Sequence, residues 1–109
     1  MEPGEKKITQ EDCSEDTAGM GILTLTNMRI AFDKTEGRII DFSKMFGETV
    51  IEARLNDIVE VTKEGRFIKK LLIKIKTNEG EKTYRFGVFN NGKWEKTLKT
   101  AISNYKDHQ

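Results

Sequence analysis

Cysteine and histidine, frequent choices for nucleophile, base or zinc ligand, are scarce in this chain, whereas charged side chains are abundant. Its 109 residues contain one cysteine, Cys13, and one histidine, His108. A Cys13–His108 pair is the available nucleophile–base combination. His108, however, stands one residue from the end, where chains are commonly disordered, and Cys13 reads as a small packing residue. One Cys and one His also fall short of the four N or S ligands of a structural zinc site, so neither metal nor cofactor is expected. The carboxylate pairs Glu11–Asp12 and Glu15–Asp16 read as a solvated acidic face. Gly19-Met20-Gly21 lacks the third glycine and the helix of a phosphate loop. The chain is therefore expected not to be an enzyme, with a small hydrolase as the weakest alternative.

The basic residues carry more information. From Lys63 to Arg85 there are eight basic residues against three acidic ones, while the first nineteen residues hold six acidic against two basic. Alternation places Lys70, Lys74, Lys76 and Arg85 on the outer face of one hairpin, with Arg66 at its rim. Such lysines can simply keep an exposed strand from pairing with another chain. They can equally form an anionic-surface site, each adding about 1 kcal/mol near an acidic membrane. Nucleic acid would use the same charges, but this stretch lacks exposed aromatics for base stacking, so no nucleic-acid partner is expected. Segment 38–49 adds Ile39, Ile40, Phe42 and Phe46. These either cover an open barrel end or stay exposed and dip into a membrane or partner.

The elements that must position these groups are mostly strands. In Gly21–Lys34 the series Leu23, Leu25 and then Met28, Ile30, Phe32 alternates with Thr24, Arg29, Ala31 and Asp33 around a turn at Thr26–Asn27. A period of two in a β-rich composition signals a sheet with one buried face. A first strand is expected over Lys6–Cys13, followed by a polar loop to Ala18–Gly19. Alternation returns at Ile51, Ala53 and Leu55, then over Ile58–Thr62 with Val59 and Val61 inward. Leu71, Ile73 and Ile75 continue the pattern, and Tyr84 and Phe86 return after a tight turn at Asn78–Glu79–Gly80. Behind Asn90, Asn91 and Gly92, Trp94, Leu98, Ala101, Ile102 and Tyr105 recur at spacings of three and four. They predict a C-terminal helix over about 92–106.

Composition bounds the class. The chain is 34% charged with a net charge of only +1, and 36% apolar with one proline and nine glycines. This describes one ordered domain over 1–109, with a flexible acidic N-terminus over about 1–5. Mixed charge argues against a polybasic binder. A lone cysteine excludes a disulfide framework and fits a reducing compartment. With no apolar run of membrane-spanning length and no signal peptide, a cytoplasmic protein is expected, with peripheral membrane attachment as an option. The fold class is mainly β with one C-terminal helix: a seven-stranded bent barrel or sandwich capped by that helix.

The order of these elements resembles a known family. Gly21, Leu23, Leu25, Thr26, Asn27, Arg29, Ile30 and Phe32 match a G-x-L-x-L-T-N-x-R-I-x-F hairpin. Ile51, Leu55, Asp57, Ile58 and Val61 form a second block, and Phe86, Phe89 and Trp94 a third. Together they are similar to the PH superfold and, within it, the GRAM branch; a thinner resemblance links the chain to the GLUE domain of an ESCRT-II subunit. The resemblance implies a non-catalytic adaptor of membrane-trafficking type. It would recruit its protein to an anionic phospholipid or phosphoinositide surface, or to a protein partner. The GLUE variant implies ubiquitin binding through a small apolar patch near the terminal helix. The usual phosphoinositide pattern of a basic pair after the first strand is replaced here by the acidic Glu11–Asp16.

Overall fold

The computed structural model describes residues 3–34, 48–65 and 70–107. Seven strands precede one helix: β1 (Lys7–Glu15), β2 (Gly19–Thr26), β3 (Arg29–Lys34), β4 (Glu48–Arg54), β5 (Ile58–Glu64), β6 (Lys70–Thr77), β7 (Gly80–Gly87) and α1 (Asn91–Asp107). A short 3-10 turn, Leu55–Asp57, joins β4 to β5. The strands form one antiparallel sheet in the order β4-β3-β2-β1-β7-β6-β5. Among the described residues, strand pairing joins its two halves where Ser14 faces Gly87 and Glu15 faces Phe86.

The inner faces of the two halves share a core. Leu23, Ile30, Phe32 and Ile51 from one half meet Ile73, Ile75 and Phe86 from the other, leaving no space for a water molecule among them. The rings of Phe32 and Phe86 approach to 5.5 Å between centroids. Among the described residues, this part of the interior is packed. Gly21 shows how tight the packing is: a Cβ there would sit 2.4 Å from the Asp33 carbonyl oxygen, closer than any side chain tolerates. The β6–β7 turn needs the backbone freedom of Gly80, whose φ is +109°. The Thr77 hydroxyl closes that turn by donating to the Gly80 carbonyl at 2.6 Å.

α1 lies against β5, β6 and the 3-10 turn. Trp94, Leu98 and Ala101 are buried, with Ile102 and Tyr105 packed on the edge of the core. Asn90 is the N-cap: its Oδ1 accepts from the Lys93 backbone N–H at 3.0 Å.

Three expectations are corrected. Val59 is exposed rather than inward, because a register shift between Ile58 and Glu60 interrupts the alternation and hands the core positions to Ile58 and Val61. β1 runs to Glu15, so Glu15, expected in a polar loop, is a buried strand residue. Glu5, assigned to a flexible terminus, is buried as well. The expectations placed on Ile39, Ile40, Phe42, Phe46, Arg66 and His108 lie outside the described residues.

Candidate functional site

The structure places Lys70, Lys74, Lys76 and Arg85 on one face, opposite the buried Leu71, Ile73 and Ile75. Across β6 and β7, Leu72 faces Arg85 and Lys74 faces Thr83. β5 supplies the other neighbours: Glu60 faces Lys74, Thr62 faces Leu72 and Glu64 faces Lys70. Lys70 is ion-paired with Asp16 of the β1–β2 turn, and Arg85 reaches Glu64 at 3.9 Å. Lys76 lies beside Glu81. The face is therefore a mixed-charge surface, because Asp16 and Glu60 join it from outside the Lys63–Arg85 span. At its centre Lys74, Arg85, Thr62, Thr83 and Leu72, with Glu60, line a depression of about 190 Å³.

The threonine–asparagine–arginine motif has a different role. Thr26 Oγ1 donates to Glu5 Oε2 at 2.7 Å and accepts from the backbone N–H groups of Met28 and Arg29 at 3.1 and 3.0 Å. Arg29 grips both oxygens of Glu5, at 2.9 and 3.2 Å, and also pairs with Glu52 on β4. Hydrogen bonds to Glu5, then to Glu52, push the arginine pKa further above its ordinary value. Asn27 accepts from the Lys6 N–H at 2.7 Å through Oδ1 and donates to the Gly4 carbonyl at 3.1 Å through Nδ2. The motif thus fastens the chain before β1 to the β2–β3 turn. Arg29, expected to face water, is a scaffold residue.

The acidic pairs divide in the same way. Glu15 Oε1 accepts from the Thr17 and Ala18 N–H groups at 3.0 and 2.8 Å and from the Thr17 hydroxyl at 2.7 Å, and so shapes the β1–β2 turn. Glu11 ties β1 to the start of α1, accepting from the Phe89 N–H and from Trp94 Nε1 at 3.2 Å. Neither carboxylate belongs to the solvated face expected of it. Burial, reinforced by Glu11 and Asp12, pushes the Cys13 thiol up to about 12. It is therefore protonated at neutral pH, which suits a packing residue and not a nucleophile. Among the described residues no group of three or more His, Cys, Asp or Glu could hold a metal.

One surface escaped the sequence reading. Ile8, Thr9, Phe89, Lys93 and Thr97 border a cleft of about 520 Å³ between β1 and the first turns of α1, with Glu11 and Trp94 also lining it. Phe89 is 97% exposed. It stands just before the N-cap, where an apolar residue ordinarily packs on the fourth helical position. That position is Trp94, which is buried in the core instead.

No protein-family model matches the chain, and no curated protein matches it. Solved structures do. A Vps36 N-terminal PH domain superposes with a TM-score of 0.71 at 16% identity, over 95% of this chain and 83% of that one. The chain that matches in the complex of PDZ-RhoGEF DH/PH domains with GTP-gamma-S activated RhoA gives 0.68 at 11%, over 93% of this chain and 30% of the other. A PH domain from TgAPH gives 0.59 at 13%, over 91% and 85%. The described residues contain no helix long and apolar enough to cross a membrane. With seven antiparallel strands followed by one C-terminal helix, the chain has the PH-like fold.

Proposed function

We propose that this chain is a non-catalytic binding module, GRAM-like in type, that recruits its protein to an anionic lipid surface in a trafficking-type assembly. The supporting observation is the depression that Lys74 and Arg85 line with the hydroxyl-bearing Thr62 and Thr83, beside Glu60. An ammonium, a guanidinium fork and two hydroxyls form a donor set suited to phosphate or carboxylate oxygens. Because Asp16, Glu60 and Glu64 stand on the same face, a local headgroup contact fits better than broad attraction. Lys70 and Lys76 stand on the same face, and Arg66 would add its charge to the contact. Ile39, Ile40, Phe42 and Phe46 would supply insertion that salt does not screen.

Pelleting with phosphatidylserine vesicles at low and physiological salt tests this. Charge reversal at Lys74 and Arg85 should weaken binding most at low salt, where attraction reaches furthest. Phe46→Ser should weaken it at all salt concentrations, with circular dichroism unchanged. Absence of pelleting at low salt would remove the lipid reading.

A second reading is favoured by the exposure of Phe89: a GLUE-like, protein-binding module whose partner is ubiquitin or a similar apolar surface. The likeness to the Vps36 domain is one of fold and adds only context. Ubiquitin titrated into labelled protein should then shift the resonances of Ile8 and Phe89 and be indifferent to Lys74 and Arg85. Spectra unchanged by excess ubiquitin would exclude that partner.

A further inference from the structure

The cleft between β1 and α1 combines three features. The first is an open strand edge. β1 pairs with β2 along its length but with β7 only at Ser14 and Glu15. β7 ends at Gly87, and the chain then enters α1. Among the described residues, no strand lies along the other edge of β1 from Lys7 to Cys13. Unpaired backbone donors and acceptors on such an edge are a template for another strand.

The second feature is apolar. Ile8 sits at a register shift between Lys7 and Thr9 and is exposed on the cleft wall. Phe89 is exposed at the same cleft, although the start of a helix would normally fold such a residue down. Its usual helical partner, Trp94, fills the core instead, so the Phe89 ring is left uncovered. The third feature is charge. Lys93 borders the cleft, and Lys6 and Lys7 precede Ile8 and are exposed. Glu11, the carboxylate in the lining, has both oxygens engaged by Phe89 and Trp94.

We propose that this cleft binds an extended acidic segment of a partner protein, added as a strand along β1, with an apolar side chain seated between Ile8 and Phe89. The inference rests on the protein-binding reading above and narrows its partner to an unfolded, acidic stretch. Strand addition takes its affinity from main-chain hydrogen bonds and its selectivity from alternate side chains. Here those alternate positions would meet an apolar pair and a lysine rim. The cleft volume falls within the range of ~300–1,000 Å³ typical of ligand sites. A lipid chain would use Ile8 and Phe89 but leave the strand edge unmatched.

Selection of displayed random peptides of about twelve residues on the folded chain tests the proposal. Enriched sequences should alternate apolar with acidic residues. One such peptide should slow amide exchange along Ile8–Asp12, and Phe89→Ser and Lys93→Glu should each weaken it by about tenfold or more at unchanged melting temperature. Failure to enrich any peptide, or peptides that leave the β1 amides unprotected, would overturn the added strand. Ubiquitin binding at Phe89 without such peptides would overturn this inference while leaving the protein-binding reading standing. Loss of both would remove both.

Discussion

The Glu5–Thr26–Arg29 corner and the outer face of β5–β7 both carry acid–base pairs, but of different quality. At the corner the Glu5 side chain is 0% exposed, Arg29 is 29% exposed, and the two meet at 2.9 Å. On the outer face Arg85 and Glu64 are 45% and 59% exposed and meet at 3.9 Å. A buried carboxylate that loses its partner costs several kcal/mol, whereas an exposed pair contributes about 0–1 kcal/mol. The corner therefore belongs to the scaffold. The outer face leaves Arg85 and its partner Glu64 in reach of water. The cleft between β1 and α1 holds both kinds at once: Glu11 and Trp94 are fixed by hydrogen bonds, while Phe89 and Lys93 stand free at the rim.

The largest effect is expected where the cleft meets the core. Trp94→Ala should cost about 3–5 kcal/mol, because removing a buried indole leaves a cavity and takes the donor from Glu11. Typical domains have about 5–15 kcal/mol of stability in all, so urea denaturation should find this variant marginal. A midpoint equal to that of the parent would show that α1 does not hold the core shut.

The corner comes next. Arg29→Met should destabilise by about 3 kcal/mol, the lower end for breaking a buried pair, since Arg29 keeps some access to water. Urea denaturation at pH 7 would measure the loss. A neutral Arg29→Met at pH 7 would place the corner with the surface pairs and dissolve the contrast.

This division was only half visible in the sequence. Alternation in Leu23–Phe32 and in Leu71–Ile75 was enough to assign strands and an inward face, and the Trp94–Tyr105 spacing was enough to assign the helix. What alternation cannot carry is pairing between distant residues. Arg29 finds Glu5 across 24 positions and Phe89 finds Glu11 across 78, and no local period records either contact. Register shifts at Ile8 and Val59 break the period itself, so both side chains read as ordinary strand residues. Counting charge along Lys63–Arg85 failed similarly: Asp16 and Glu60 enter the face through sheet pairing. The exposure of Phe89 had one available signal, namely that Trp94 cannot both fill the core and cover its neighbour.

The smallest effect on stability is expected at Arg85, and it decides whether the outer face is free for a ligand. Arg85→Gln removes one partner of a long, exposed pair and leaves Glu64 in water, so no buried charge is stranded. The change should stay within about 0.5 kcal/mol, and a double-mutant cycle with Glu64→Gln should give a coupling no larger. Raising salt should erase even that, because exposed charges are screened within about 8–10 Å at moderate ionic strength. The same variant should nevertheless reduce pelleting with acidic vesicles, since it withdraws one of the two cations from the depression lined by Thr62 and Thr83. A coupling of about 2 kcal/mol or more between Arg85 and Glu64 would mean that the guanidinium is already committed to the fold. Lys74 would then be left as the remaining cation of that depression.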